Sequence, residues 1–493
     1  MNIRIYCYLL LTALFFGAGC ANIVAPTGGE KDIAPPKLVS VIPADSQKNV
    51  RTSRIRLNFD EYIVTTDAIN QVIISPILPV PPTVTSLNKH VVISFPDSLL
   101  LPNTTYHVSF GTAIRDNHEG NIYKSSGYLF STGNYFDSLS LSGRVINAAT
   151  GQPDSAATIV LYAGTETDSA FLRKKPMYAS HVNGSGEFML PGLPGNTFNI
   201  YVLRDKNNNL AFDDPTEWIG FADKQVTPGA DSGKIVLRSF PVAGADTIKK
   251  DNKENPRATR SNRLFEGNNN MQYVVLADTA DRKRRSFDIT DSLTIVFART
   301  PGKLQTERIF LTYDSAEVTI EAPFMPTWDS AGNQLKLAVK WVEDAIYTLR
   351  LQKGFAKDTS GNDLLPGRYS FHTRRDEDYA KLTINMPPKY QGDTFLLEVV
   401  NDVDTIYRKP VIKATVELIH IPPGNYKLKV IGDKNKNGQW DTGDLFAKKQ
   451  PEEVFPYSQV IMLKAGWENQ VDFEPEPEPV KKSPEKSPGA LPQ

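Results

Sequence analysis

Cysteine is nearly absent from this 493-residue sequence, and its two cysteines, Cys7 and Cys20, both lie within the first twenty residues. Asn2 and Arg4 precede an apolar run that ends at Phe16 and opens into Gly-Ala-Gly-Cys20. A basic start, about a dozen apolar residues and small residues at a cleavage site are typical of a secretory signal, which is too short to span a bilayer permanently. Cleavage before Cys20 would leave one thiol, which excludes an internal disulfide.

Small residues directly before a cysteine resemble a bacterial lipobox, although Gly17 stands where Leu or Val is usual. The resemblance implies that residues 1–19 are a signal peptide, that Cys20 carries lipid, and that residues 20–33 form a tether. The alternative is a plain secretory signal cleaved near Ala18 or Ala21.

An excess of charge of one sign is also missing, since the formal net charge is -1. The sequence therefore has no electrostatic footprint for nucleic acid or for an anionic membrane surface. Sustained apolar positions at helical spacing are missing as well. In contrast, Pro (35), Gly (32), Phe (24) and Tyr (19) are plentiful. This mixture of turn-forming and strand-forming residues predicts an all-β fold.

The two halves of the chain repeat a strand pattern. Alternating apolar positions predict strands that bury one face: Ile55, Leu57 and Phe59 in the first half, and Leu293, Ile295 and Phe297 in the second. Asp116 and Gly120 then mark a turn that Asp358 and Gly361 repeat, and each repeat ends on Phe-x-Thr. This pattern resembles the bacterial Ig-like module of surface-layer type, which implies Ig-like domains at 34–133 and 270–375.

A second module type follows each Ig-like segment. The motif Asn-Gly-Ser-Gly-Glu-Phe at 183–188 and the Leu-Pro-x-Gly-type turns at 190–195 and 421–424 resemble the carboxypeptidase-regulatory or transthyretin-like β-sandwich. The resemblance implies sandwiches at 134–243 and 376–473. We therefore predict tandem β-sandwich modules in an A-B-A-B duplication, strung in chain order. A charged linker at 244–269 and a disordered Pro/Glu/Lys tail at 474–493 complete the predicted chain.

Oxygen-bearing side chains recur after the last predicted strand of each half. Positions 1, 3, 5, 9 and 12 of an EF-hand-type loop carry hard oxygen ligands, and a glycine at position 6 permits the sharp bend. The second half predicts a structural calcium site from Asp433, Asn435, Asn437, Gln439, Asp441 and Asp444. The first half gives a weaker set, Asp205, Asn207, Asn209 and Asp213. The alternative is a polar loop that its own side chains close.

Motifs for catalysis are missing: the six histidines are scattered, and there is no P-loop, Rossmann fingerprint or Gly-x-Ser-x-Gly elbow. We therefore expect no enzyme activity, with a hydrolase of unfamiliar site as the alternative. The whole pattern resembles Ig-like-domain lipoproteins of Bacteroidota-type bacteria. It implies a lipid-anchored outer-membrane protein, periplasmic or surface-exposed, that acts as a scaffold, spacer or adhesion-type binder.

The expected partners are the membrane, through the anchor, and a polysaccharide or protein of the cell envelope; nucleic acid is not expected. The alternative function is carbohydrate or peptide binding through loops of the B modules. Trp218 and Trp467 are the aromatic candidates for such a site. Trp341 continues a strand alternation and is expected in a core.

Overall fold

A computed structural model describes residues 32–125, 127–242, 272–276, 286–315, 318–402 and 405–475. The predicted signal peptide, Cys20, the charged linker and nearly all of the tether and tail lie outside these ranges. Within them, no helix has the length and apolar character needed to cross a membrane. Strands account for 48% of the structure and helices for 5%, which confirms the prediction of an all-β fold. The described residues divide into two compact units, one up to residue 135 apart from 75–77, and one with the rest.

The first unit holds a single sandwich core, in which Ile55, Leu57 and Phe59 are buried against Tyr106 and Phe130. One sheet has the order β1-β2-β6-β5, another has the order β4-β7-β9, and β3 pairs with β8. The strands are β1 (Leu38–Ile42), β2 (Arg54–Phe59), β3 (Ile63–Thr65), β4 (Ile73–Ser75), β5 (Thr83–Leu87), β6 (His90–Ser94), β7 (Thr105–Ser109), β8 (Ile114–Asp116) and β9 (Tyr128–Ser131), with a short helix at Ala68–Gln71 and a 3-10 turn at Asp97–Leu99.

The second unit begins with a seven-stranded sheet of order β12-β11-β14-β15-β16-β10-β13. Its core contains Leu141, Ile159, Phe198 and Leu237. The strands are β10 (Leu139–Asn147), β11 (Thr158–Ala163), β12 (Tyr178–His181), β13 (Glu187–Leu193), β14 (Phe198–Arg204), β15 (Trp218–Phe221) and β16 (Ile235–Pro241), with a short helix at Ser169–Arg173.

The next module has its own core around Tyr347, Leu349 and Phe371. Its sheets are β17-β19-β24-β23, β18-β27-β25-β21-β22 and the pair β20-β26. The strands are β17 (Tyr273–Leu276), β18 (Ser286–Phe287), β19 (Leu293–Phe297), β20 (Lys303–Leu304), β21 (Ile309–Ser315), β22 (Val318–Glu321), β23 (Phe324–Trp328), β24 (Gln334–Val339), β25 (Ile346–Leu351), β26 (Ala356–Lys357) and β27 (Gly367–Thr373), with a 3-10 turn at Thr306–Arg308.

The last module packs Leu382, Leu397 and Tyr426 into a fourth core. Its sheets are β31-β28-β35 and β30-β29-β32-β33, and β34 pairs with β32. The strands are β28 (Ala380–Asn385), β29 (Gly392–Val400), β30 (Thr405–Val411), β31 (Thr415–Ile421), β32 (Gly424–Gly432), β33 (Val454–Pro456), β34 (Ile461–Leu463) and β35 (Glu468–Asp472), with 3-10 turns at Asp376–Asp378 and Pro388–Tyr390.

Strand pairings repeat between the halves, as a duplication requires. The order β17-β19-β24-β23 repeats β1-β2-β6-β5, and β20-β26 repeats β3-β8. In the B modules, the parallel pair β28-β35 repeats the parallel pair β10-β16. The antiparallel pairs β29-β30, β29-β32 and β32-β33 likewise repeat β11-β12, β11-β14 and β14-β15. The tandem sandwich architecture predicted from the sequence is therefore present.

The two B modules contact each other directly, which a string of modules in chain order did not predict. Arg238 Nη2 lies 2.6 Å from Glu453 Oε1, and Lys448 Nζ lies 2.6 Å from Asp168 Oδ1. The Gln450 amide donates to Asp223 at 2.8 Å. The two residues of each contact are more than 200 positions apart in the sequence, so no local sequence pattern predicts these contacts.

The predicted turn at Asp116 is closed by its own side chain. Its carboxylate accepts backbone N–H groups from His118, Glu119, Gly120 and Asn121 at 2.6–3.0 Å. Gly120 has φ +78°, a left-handed conformation that glycine adopts without strain. Burial raises the pKa of the Asp116 carboxyl, but the four N–H groups together lower it by more, so that its pKa lies below the ordinary value.

Candidate functional site

Two polar loops occupy equivalent places in the B modules. The first Asp-Asn loop (residues 205–217) joins β14 to β15, and the second Asp-Asn loop (residues 433–453) joins β32 to β33. Their backbones agree at two left-handed positions: Asn208 and Lys436 have φ of 57° and 59°, and Leu210 and Gly438 have φ of 60° and 75°. Leucine rarely adopts this conformation, so the surrounding loop must impose it.

The second Asp-Asn loop folds around the carboxylate of Asp433, which is only 1% exposed. That carboxylate accepts the backbone N–H groups of Asn437 at 3.1 Å and Gly438 at 2.9 Å. The side-chain amide groups of Asn435 and Asn437 both donate to Asp441. Four of the residues predicted as calcium ligands are therefore brought together.

A glutamate outside the predicted set completes this loop. Glu452 is 7% exposed, and its two carboxylate oxygens accept backbone N–H groups of Lys434 and Asp441, each at 3.0 Å. The indole N–H of Trp440 donates to the main-chain oxygen of Glu452 at 2.9 Å. The buried carboxylate of Glu452 therefore links Lys434, near the start of the predicted calcium ligands, to Asp441, near their end.

Asp444 and Gln439, the other two predicted ligands, take different roles. The Asp444 carboxylate accepts the backbone N–H groups of Phe446 at 2.8 Å and Ala447 at 3.0 Å, which caps a separate turn. Gln439 donates its backbone N–H to Asn437 Oδ1 at 2.8 Å. Its main-chain carbonyl would be the atom offered to a cation at this position.

The first Asp-Asn loop repeats these contacts. Asp205 accepts the N–H groups of Asn209 at 3.3 Å and Leu210 at 2.7 Å. The amides of Asn207 and Asn209 donate to the two oxygens of Asp213 at 2.9 Å and 2.7 Å. Glu217, which is fully buried, accepts the N–H of Lys206 at 3.1 Å and thereby occupies the place of Glu452.

The two buried glutamates lie in surroundings that disfavour their ionised forms. Burial raises the pKa of Glu217 and of Glu452, and the backbone N–H groups that each accepts lower it only in part. The negative charges of Asp441 and Asp433 raise the pKa of Glu452 further. A bound cation would reverse this effect, because it favours the ionised form.

Acidic side chains alone do not build a metal centre here. Within the described ranges, no three His, Cys, Asp or Glu side chains converge closely enough to hold a metal ion by themselves. A cation in either Asp-Asn loop would therefore need asparagine and main-chain oxygens, which calcium accepts and zinc does not favour.

A separate recess of about 710 Å³ lies where the second Ig-like module meets the last module. We call it the junction recess; among its lining residues are Asp376, Glu377, Ile419, His420, Trp467 and Glu468. One side is held by the Asp376 backbone N–H, which donates to Glu343 at 2.6 Å, and by Arg375 Nε, which donates to Asp344 at 3.1 Å. His420 Nε2 lies 2.7 Å from Asp376 Oδ1.

The tryptophans differ in their availability to a ligand. Trp467 is 52% exposed and lines the junction recess. Trp218 is half-buried, and the guanidinium of Arg204 lies 4.2 Å from its ring centre. Trp341 packs against the core of the second Ig-like module, as its strand alternation predicts, and donates its indole N–H to the main-chain oxygen of Asp291.

Residues 32–132 match the family of the bacterial Ig-like domain. The first module is thus similar to that family, in agreement with the resemblance seen in its sequence. No curated protein matches the chain.

Several solved structures share low similarity with the chain. The Bacillus anthracis TIE protein is 10% identical, with 92% of this chain and 76% of that chain covered and a TM-score of 0.17. The N-terminal part of the bacterial S-layer protein SbsC is 12% identical, with 34% and 40% covered and a TM-score of 0.16. BcpA, the major pilin subunit of Bacillus cereus, is 9% identical, with 68% and 100% covered and a TM-score of 0.16.

The sequence did contain a signal for the buried glutamates. Glu217 directly precedes β15, and Glu452 stands two residues before β33, the equivalent strand. If the two halves are aligned on these equivalent strands, rather than on the distance from the first aspartate of each loop, Glu217 and Glu452 fall at corresponding positions. The second loop is seven residues longer at this point, which moved Glu452 out of the twelve-residue EF-hand window.

Proposed function

We propose that the chain is a lipid-anchored, non-catalytic protein of the bacterial cell envelope, whose β-sandwich modules form a scaffold that presents a binding surface. The match of residues 32–132 to the bacterial Ig-like domain supports the scaffold part of this proposal. The apolar run before Cys20 and the small residues that precede it support the anchor. The resemblance of the sequence to Ig-like-domain lipoproteins of Bacteroidota-type bacteria agrees with both parts of the proposal.

The observation that carries the scaffold role is the pair of contacts made by the last module. On one side, Tyr379 donates its hydroxyl to Asp288 of the second Ig-like module at 2.9 Å. On the other side, Glu453 pairs with Arg238 of the first B module. Modules fixed by contacts on two sides hold a surface in place, whereas freely jointed modules do not.

Fractionation of cells tests the location. We expect the wild-type protein in the outer-membrane fraction and a Cys20→Ala variant in the soluble periplasm or medium, because the lipid is the proposed anchor. Protease treatment of intact cells then separates a surface-exposed from a periplasmic chain. Recovery of the wild-type protein in the soluble fraction would exclude an anchored scaffold.

Ligand binding is the second candidate function, and the junction recess favours it. A half-exposed indole beside charged side chains in a recess of this size is typical of sites that bind extended polar ligands. Trp467 is the stronger of the two aromatic candidates, because it is 52% exposed and lines the recess, whereas Trp218 is half-buried and lies outside the recess lining. Loss of glycan or peptide binding in a Trp467→Ala variant tests this role, and Trp218→Ala is its matched control.

We further propose that calcium occupies the second Asp-Asn loop. Binding would draw the carboxylates of Asp433, Asp441 and Glu452 closer together around the ion than they stand in the structure, and Asn435, Asn437 and the main-chain carbonyl of Gln439 would supply the remaining oxygens. The repeat of the same arrangement in the first Asp-Asn loop supports the proposal, and there Asp205, Asn207, Asn209, Asp213 and Glu217 would take these roles.

Calcium at this place would have a structural role. The second Asp-Asn loop also carries Lys448, Gln450 and Glu453, which contact the first B module. A bound ion would stiffen the loop and hold the two modules together. We expect the midpoint of thermal unfolding to fall when a chelator is added and to recover with calcium but not magnesium. An unchanged midpoint would rule out the proposed ion.

A further inference from the structure

The junction recess carries an excess of negative charge. Five carboxylates line it, from Glu343, Asp344, Asp376, Glu377 and Glu468, against two cations, Arg375 and Lys381. With His420 counted as neutral, the recess has a formal excess of three negative charges, whereas the whole chain has a net charge of -1. Negative charge concentrated in a concave surface attracts cations more strongly than the same charge spread over a convex one.

Part of this negative charge is already paired, and part faces solvent. Arg375 bonds to Asp344 at 3.1 Å and to Glu377 at 2.9 Å, which fixes the wall of the recess. Glu468 is different, because its side chain is 80% exposed and its ion pair with Lys381 is long, with Nζ 4.0 Å from Oε1. The carboxylate of Glu468 is therefore open to an incoming cation at low desolvation cost.

Apolar surface lies beside the charge. Trp467 is 52% exposed and Ile419 is 61% exposed, and both line the recess. Lysine and arginine side chains pack their methylene stems on such surface and keep the charged end in a polar environment. The chain itself provides an example, since Lys464 Nζ lies 4.5 Å from the centre of the Trp467 ring.

The position of the recess favours a peptide over an isolated amine. Glu468 begins β35, which stands at the edge of the sheet β31-β28-β35 in the described part of the chain. An edge strand offers main-chain N–H and C=O groups to an extended segment, and alternate side chains of that segment enter neighbouring pockets.

We propose that the junction recess binds a lysine- or arginine-rich extended segment of a partner protein. The proposal rests on the binding role within the proposed function and gives it a substrate class. A cationic side chain lies against Glu468, and its stem packs on Trp467. A neutral sugar would gain nothing from the charge excess, and an acidic polysaccharide would be repelled.

Titration of labelled hexalysine into soluble protein (residues 21–493) tests the proposal by fluorescence anisotropy at two salt concentrations. We expect saturable binding that weakens with salt. A Glu468→Lys variant should weaken it at least about tenfold, because the change replaces an attraction with a repulsion. Trp467→Ala should weaken it about threefold or more through loss of stem packing.

The matched control is Glu417→Lys, an equal charge change at an exposed position of β31 outside the recess lining. We expect less than a twofold change there. An equal loss in both variants would overturn the proposal, since it would show general attraction to the surface. Absence of hexalysine binding, or Trp467-dependent binding of a neutral oligosaccharide in its place, would also overturn it. The binding experiment does not depend on cell fractionation. Its failure would overturn the peptide-binding proposal alone, and the anchored scaffold is tested separately by fractionation.

Discussion

Replacement of Asp116 by asparagine tests how the turn of the first Ig-like module is stabilised. The Asp116 carboxylate is 1% exposed and accepts four backbone N–H groups. In the variant, one oxygen remains to accept from three of them, and an amide N–H₂ faces the N–H of Asn121, which leaves that donor unsatisfied.

The magnitude follows from these contacts. An unsatisfied buried donor costs about 1–3 kcal/mol, and a hydrogen bond to a charged group contributes about 1.5–3 kcal/mol, against about 0.5–1.5 kcal/mol for one between neutral groups. Because His118, Glu119 and Gly120 are exposed, water replaces part of the loss. We therefore expect the free energy of unfolding of the first module to fall by about 3 kcal/mol.

Hydrogen exchange followed by mass spectrometry is the assay, since it resolves the first module within the full soluble chain. Amides of β7 and β9, around Val108 and Phe130, should exchange about a hundredfold faster in the Asp116→Asn variant, which corresponds to about 3 kcal/mol. Amides of β25 in the second Ig-like module should be unchanged. A loss below about 1 kcal/mol would refute the reasoning, because it would mean that water satisfies the turn as well as the carboxylate does.

The pH dependence gives an independent check on the same residue. The folded-state pKa of Asp116 lies below its ordinary value, so the unfolded chain binds the proton more readily. The stabilisation is therefore present above the ordinary pKa of about 4 and is lost as the pH falls through the folded pKa. The difference between the wild-type protein and Asp116→Asn should narrow below about pH 4.

Three further predictions concern the other modules. Glu452→Gln should abolish the calcium-dependent rise in the thermal midpoint, whereas Asp444→Asn should preserve it; the reverse result would restore the twelve-residue EF-hand assignment. Lys448→Glu should raise the rate of hydrogen exchange in residues 444–450, because it removes the ion pair with Asp168, which contributes about 1 kcal/mol or less. Unchanged exchange would show that this pair does not hold the B modules together. Leu349→Ala should destabilise the second Ig-like module by about 3 kcal/mol in denaturant unfolding, and a loss below 1 kcal/mol would contradict its place in the core.

The strands of the first Ig-like module could be predicted because one face of each strand is buried and the other is exposed to solvent. In β2, Ile55 and Leu57 are fully buried while Arg54 and Arg56 are exposed, and this contrast appears directly as a period of two. The fold class was therefore accessible from the sequence.

The contacts between modules were not accessible in the same way. Lys448 and Asp168 belong to exposed loops of different modules, and neither loop has a periodic pattern. The junction recess also combines residues from two modules, such as Glu343 and Glu468, which nothing in the sequence brings together. Glu452 was missed because the second Asp-Asn loop is longer than the first. The fixed spacing of an EF-hand loop therefore does not reach Glu452, whereas an alignment on β15 and β33 does.

Metabolic labelling with a fatty-acid analogue tests the central claim most directly. In the source cells, the wild-type protein should incorporate the label, and its mature N-terminus should be a modified Cys20. A Cys20→Ser variant is the control and should be unlabelled. An unlabelled wild-type protein with a free N-terminus near residue 19 or 21 would contradict the lipid anchor and restore a plain secretory signal.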